Sequence, residues 1–116
     1  MKIINTKFAG LKVIQNFTFP DERGYFRELI SEKEIKKKFL FNVMSFSKKN
    51  VLRGLHYDDK TWKLVNCIHG KIYLVVLDVR PHSTTYGEWE SFILSPETGT
   101  QVLIPPMFAN GHFVMK

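Results

Sequence analysis

Arg53-Gly54-Leu55-His56 places a guanidinium and an imidazole on either side of a glycine. Histidine suits general-base work because its ordinary pKa lies near neutrality. In a regular strand Arg53 and His56 would point to opposite faces, since side chains alternate. A bulge at Gly54 would bring both to one face, where the arginine could hold an anion beside the base. A lone strand histidine is also commonly structural, and the segment by itself leaves both readings open. Lys63 stands seven residues on, at the start of the next strongly apolar run. It is either a cation for a developing oxyanion such as an enolate or a surface lysine on a strand edge. In Arg23-Gly24-Tyr25-Phe26-Arg27-Glu28, Phe26 and Glu28 share a strand face and Arg23 sits in the preceding turn. Those three could stack on, hydrogen-bond to and charge-pair with a nucleotide. Taken alone, the segment reads better as a core phenylalanine flanked by solvated charges.

These residues need a scaffold of short strands. Leu11 to Phe19 reads as one strand with Val13, Phe17 and Phe19 on one side. Pro20-Asp21-Glu22-Arg23-Gly24 is a turn, and Tyr25 to Ile30 a second strand. Ser31 to Phe39 is expected to form one short helix, with Ser31 as N-cap and Glu34 completing a capping box. Val43 to Ser47 and Val51 to His56 are strands around Lys48-Lys49-Asn50. Lys63 to His69 and Lys71 to Arg80 flank Gly70 as a tight hairpin. Tyr86 to Leu94 and Gln101 to Ile104 follow, with a turn at Ser95 to Gly99, and Pro105-Pro106 ends the pairing. The fold expected is all-β: a jelly roll with one short helix, as a single domain over residues 1–116. The segment from Asn110 to Lys116 rises into an apolar strand that needs a partner. It leads to the expectation of a chain truncated at its C-terminus, or of pairing with another subunit.

A jelly-roll metal site commonly uses a His-x-His pair, a later Glu and a His in a Pro-x-Gly-x-x-His segment. Here His56 is followed by Tyr57-Asp58, and Pro105-Pro106-Met107-Phe108-Ala109-Asn110 lacks the Gly and the His. Too few ligands remain, so no catalytic metal and no cofactor are predicted. His69, His82 and His112 read as structural or exposed, with His112 close to the Pro-Pro segment.

The chain has 116 residues, 44% of them hydrophobic, enough for one modest core. The formal charge of +6 suits an anionic partner. Much of it lies in Lys33, Lys36, Lys37, Lys38, Lys48 and Lys49. These read as solvated surface, because no nucleic-acid-binding motif accompanies them. No apolar run is long enough to span a bilayer. The first residues lack a signal peptide's apolar core, and a single cysteine, Cys67, fits a reducing cytoplasm.

In this order, Asp21-Glu22-Arg23-Gly24-Tyr25-Phe26-Arg27-Glu28, Val51-Leu52-Arg53-Gly54-Leu55-His56-Tyr57, Lys63-Leu64-Val65, Gly70 through Arg80, Gly87-Glu88-Trp89 and Ile104-Pro105-Pro106-Met107-Phe108-Ala109 resemble the dTDP-4-dehydrorhamnose 3,5-epimerase family. The resemblance implies a metal-free cupin, commonly a homodimer exchanging N-terminal strands. The implied ligand is a nucleoside-diphospho-4-keto-6-deoxy sugar, epimerised at C3, C5 or both through an enolate, for surface-polysaccharide biosynthesis. By the same resemblance His56 is the base and Lys63 steadies the enolate oxygen. Arg53 lines the sugar–phosphate pocket, and Arg23, Phe26 and Glu28 serve the nucleotide. Ser45, Asn110 and His112 complete the substrate-binding candidates.

The chain departs from the family pattern in three ways. Phe41 and Val43 replace a Gln and an Asn that serve the nucleotide, which fits the GDP-4-keto-6-deoxy-heptose branch at least as well as the dTDP one. Met107, Asn110 and His112 stand where Gly, His and Phe are usual, reshaping the sugar pocket. The family's proton-donating Tyr and the Asp that orients the base are expected beyond Lys116. Two alternatives are a cupin 3,4-ketoisomerase, whose His-Ala-His is here Leu55-His56-Tyr57, and a non-catalytic sugar-nucleotide-binding or dimerisation module.

Overall fold

The structure, a computed structural model, describes all residues 1–116. Its elements are β1 (Lys2–Asn5), β2 (Lys12–Gln15), β3 (Thr18–Asp21), β4 (Gly24–Arg27), α1 (Glu32–Ile35), β5 (Leu52–His56), β6 (Lys63–Val65), β7 (Ile72–Asp78), β8 (Trp89–Leu94), β9 (Thr100–Ile104) and β10 (Phe108–Val114). Two antiparallel sheets form, ordered β1-β2-β9-β6 and β5-β10-β7-β8, and β3 and β4 make a separate hairpin. The all-β jelly roll read from the sequence is the architecture observed.

Strand alternation sorts the side chains. Leu74 and Val76 of β7, Val102 and Ile104 of β9 and Phe108 of β10 turn inward with Phe8, Leu11 and Leu94, all of them at most 2% exposed. Each such side chain contributes about 1.5–3 kcal/mol on burial. Phe8 meets Phe108 edge-on at 5.8 Å between ring centres. A second cluster lies on the outer face of the first sheet. Ile14 and Leu103 are covered there by Ile35 of α1, with Trp62, Phe39 and Met1 around them.

Several boundaries differ from the sequence-based expectations. The predicted Leu11–Phe19 strand is two strands, broken where the Asn16 amide nitrogen Nδ2 turns aside to donate to the Leu29 carbonyl (3.1 Å). The helix is only one turn long. Ser31 caps it as expected, but Lys36 takes the left-handed conformation (φ 62°) and ends it. Glu34 does not close a capping box, because its carboxylate lies 3.6 Å from the Met1 amino group. Val43–Ser47 forms no strand, and no backbone hydrogen bond holds it. Gly70 does not join a hairpin: β6 pairs with β9 in one sheet and β7 with β8 and β10 in the other, so the chain crosses between sheets there. The last strand does have partners, β5 on one side and β7 on the other.

Candidate active site

β5 is an edge of its sheet and β6 an edge of the facing one. Directly opposed residues of an antiparallel pair project to the same face. On β10, Asn110 lies opposite Val76 and His112 opposite Leu74, so both belong to the inner face. Across the other ladder, His56 pairs with Asn110 and Arg53 with His112. Three residue steps on β5 therefore span only two on β10, which is a bulge, and it turns Arg53 and His56 inward together. The backbone explains the glycines. Gly54 has φ 118°, and a Cβ on Gly111 would meet the Arg53 carbonyl oxygen at 2.6 Å, so only glycine lets the two strands approach there.

Lys63 enters from the facing sheet. It pairs with Ile104, whose side chain is in the core, so it too points inward. Its Nζ donates to Asn110 Oδ1 at 3.2 Å. The structure thus brings Arg53, His56, Lys63, Asn110 and His112 to one mouth between the sheet edges. Arg53 makes a single side-chain hydrogen bond, from Nε to Ser47 Oγ (2.5 Å). Its two terminal nitrogens are free, and a planar fork of that kind matches a phosphate or carboxylate. Burial, and then the Arg53 charge, lower the pKa of His112, so its ring is neutral around pH 7.

Asp58 borders the same mouth. Its carboxylate accepts from the backbone amides of Lys60 (3.0 Å) and Thr61 (2.7 Å). Hydrogen bonds from Lys60 and Thr61 chiefly, helped by the charge of Lys63, bring its pKa down to about 2. The Asp58 carbonyl also accepts from the Met107 amide (2.9 Å), which ties the loop after β5 to the entry of β10. Neither Ser47 nor Asp58 was singled out from the sequence. Asp58 was findable, since Asp followed by polar residues marks a side-chain-capped turn; nothing local marks Ser47.

The remaining candidates lie elsewhere. Arg23 is paired with Asp21 in its own turn (2.8 Å) and is 84% exposed. Phe26 is exposed and stacks only on Phe19, 6.4 Å away, so it is not a core residue. Glu28 and Ser45 are exposed, with no side-chain hydrogen bond. Arg27 pins the hairpin by donating to Thr18 Oγ1 (2.8 Å) and the Pro96 carbonyl (2.7 Å). That anchor adjoins the Thr100 end of β9, whereas Lys63 pairs with Ile104 at its other end. Within one chain, Arg23, Phe26 and Glu28 therefore do not join the His56 cluster, and Ser45, two residues before Ser47, makes no hydrogen bond to it. Phe41 and Val43 are also exposed, at 84% and 92%.

No three His, Cys, Asp or Glu side chains stand close enough to hold a metal ion. Cys67 is buried, its thiol pKa pushed up chiefly by that burial, and it donates to the His69 carbonyl (3.2 Å). A base and a cation aimed at one space, with an anion-binding fork beside them, can remove a proton from carbon next to a carbonyl and hold the enolate that results.

Known proteins carry the same frame. Residues 5–116 match the family model of dTDP-4-dehydrorhamnose 3,5-epimerase. The enzyme of that name from Escherichia coli K12 is 34% identical over 99% of this chain and 67% of its own length. The Methanothermobacter thermautotrophicus one is 36% identical over 98% and 65%. Among solved structures, the dTDP-6-deoxy-D-glucose-3,5-epimerase of Legionella pneumophila, in complex with dTDP-4-keto-L-rhamnose, superposes with a TM-score of 0.91 and 38% identity, covering 99% of this chain and 65% of that one. The Bacillus anthracis enzyme, with TDP and PPi bound, gives 0.92 and 32%, covering 98% and 70%. The chain spans about two thirds of the length of these relatives. No helix is long and apolar enough to cross a membrane.

Proposed function

The chain belongs to the dTDP-4-dehydrorhamnose 3,5-epimerase family, and from that premise we propose that the intact protein epimerises a nucleoside-diphospho-4-keto-6-deoxy sugar at C3, C5 or both. The observation that carries this reading is the convergence on Asn110: His56 faces it across the ladder and Lys63 donates to it from the other sheet. The 4-keto group acidifies the neighbouring C–H bonds. His56 takes the proton and the electron pair moves to the carbonyl oxygen. The Lys63 ammonium stabilises that oxyanion, and a proton returned to the opposite face inverts the centre. Arg53 holds the diphosphate. Nothing in this sequence of steps calls on a cofactor or a metal.

The exposed hairpin of β3 and β4 supports a homodimer in which a second copy presents Arg23, Phe26 and Glu28 to the nucleotide. Phe17, Phe19 and Phe26 form an uncovered aromatic row on it. The second sheet also carries a shallow concavity lined largely by apolar side chains, Leu52, Leu55, Tyr73, Val75 and Phe113, with Arg53 and His112 bordering it. A hydrophobic patch of that kind marks an association surface. A cytoplasmic location suits a free, buried thiol.

Product analysis by NMR tests the reading. Incubation of the intact protein with a dTDP-4-keto-6-deoxy sugar should give a product inverted at C3 or C5 with the carbonyl still at C4. A carbonyl moved to C3 would establish a ketoisomerase instead.

A further inference from the structure

The inner face of the mouth carries two cations, Arg53 and Lys63, and no carboxylate. Around His112, β5 contributes Arg53 and His56, and β10 itself contributes Asn110. β7 contributes only Ile72, Leu74 and Val76, and β6 contributes Lys63 through its bond to Asn110. The Asp58 carboxylate, in the loop after β5, is engaged by the Lys60 and Thr61 amides. Asp78, further along β7, is closed off by Arg80. His112 is half-buried, directly across from Arg53, and has no hydrogen-bond partner in the chain. Burial first, and then the charge of Arg53, disfavour the protonated form of an imidazole in that position. An anion seated on the free fork of Arg53 would cancel the repulsion and accept a hydrogen bond from the ring.

We propose that His112 and Arg53 together hold an anionic oxygen of the ligand's diphosphate, and that His112 takes up a proton as the anion binds. The inference rests on the sugar-nucleotide reading of the site and adds to it a proton-coupled clamp. The burial and charge that depress the pKa of the free imidazole are consistent with it, since binding would reverse the second of them. Linkage is reciprocal: a pKa raised by one unit on binding means that affinity improves about tenfold between the pH where His112 is neutral and the pH where it is charged.

The test is calorimetric titration of the full-length protein with dTDP and, separately, with inorganic pyrophosphate. Each is run at pH 6 and pH 8 in buffers of different ionisation enthalpy, so that the slope counts protons. Because the ligand itself titrates in this range, the His112→Phe and His112→Gln variants supply the baseline. The wild type should take up on the order of half a proton more than either variant at pH 6, and should lose about tenfold more affinity between pH 6 and pH 8. His112→Gln keeps the ring's hydrogen bonding without its charge, so it should bind like the wild type at pH 8 and fall behind at pH 6. It also covers the case in which the bulkier phenylalanine disturbs the strand. Equal binding and equal proton counts in wild type and variants would overturn the clamp and leave the sugar-nucleotide reading standing. Failure of a folded wild type to bind either probe would overturn both.

Discussion

Two arginines, one on β5 and one just past the end of β7, do opposite things. Arg80 is saturated by its own protein. Its Nε and Nη2 donate to the two oxygens of Asp78 (3.0 and 2.9 Å), Nη2 also reaches Ser83 (3.2 Å), and Nη1 reaches the Ala9 carbonyl (3.3 Å). Its guanidinium lies 4.6 Å from the Phe108 ring centre. Arg53 uses one donor, on Ser47, and leaves the rest of its fork open beside His112. The same side chain thus fixes the fold in one place and is left available for a ligand in the other. Saturation by near neighbours in sequence, Asp78, Ser83 and Thr85, separates the two.

The comparison can be broken at either end. The largest effect belongs to the open mouth: His56→Ala should lower turnover by about 10²–10⁴-fold, the usual worth of a general base. Lys63→Met should cost about 10²–10³-fold, as for loss of one oxyanion donor. Steady-state rates with the melting temperature measured alongside check both, and neither variant should melt earlier by more than a degree or two.

At the saturated end, Asp78→Ala strands Arg80 and leaves its hydroxyl partners unpaired. It should cost about 3 kcal/mol of stability, a fall of roughly 10 °C in melting temperature, seen by calorimetry. Burial pushes the Asp78 carboxyl upward, but hydrogen bonds from Arg80, Thr85 and Ser83 more than offset this and hold it well below the ordinary carboxylate range. A depressed folded value stabilises the protein above the unfolded carboxylate's pKa near 4, and that contribution is lost progressively as pH falls further. Denaturant titrations between pH 7 and pH 2 should show this acid slope in the wild type and a shallower one in Asp78→Ala.

The smallest effect sharpens the contrast. Arg53→Ala should weaken dTDP binding by about tenfold, the loss expected of a charge-assisted pair, and leave the melting temperature unchanged. Arg80→Ala should do the reverse. Binding and melting curves on the same two variants decide it.

Much of this was legible from local pattern. The bulge at Gly54 was readable because Arg53 and His56 are three apart and a glycine lies between them. Lys63 was readable as the start of a strand, but its inward direction follows only from its pairing with Ile104. What stayed hidden depended on contacts distant in sequence. Gly70 looks like a hairpin glycine, yet the chain changes sheets there, since β6 finds its partner in β9, some forty residues downstream. The helix pattern from Ser31 to Phe39 stops after one turn at the left-handed Lys36, and Phe39 packs on the Ile14, Ile35 and Leu103 cluster outside the helix, so tertiary packing overrides propensity. The separation of Arg23, Phe26 and Glu28 from His56 was likewise invisible, because sequence order does not say which end of β9 a hairpin leans on.

The central claim is that the polar mouth between β5 and β6 is a proton-abstracting site. The most direct measurement is proton NMR of a dTDP-4-keto-6-deoxy sugar incubated with the full-length protein in deuterated water, beside the His56→Ala variant. The wild type should exchange the C3 or C5 proton for deuterium, and the variant should do so at least about a hundredfold more slowly. No exchange by a folded wild-type protein, or exchange at the same rate in both, would contradict the account.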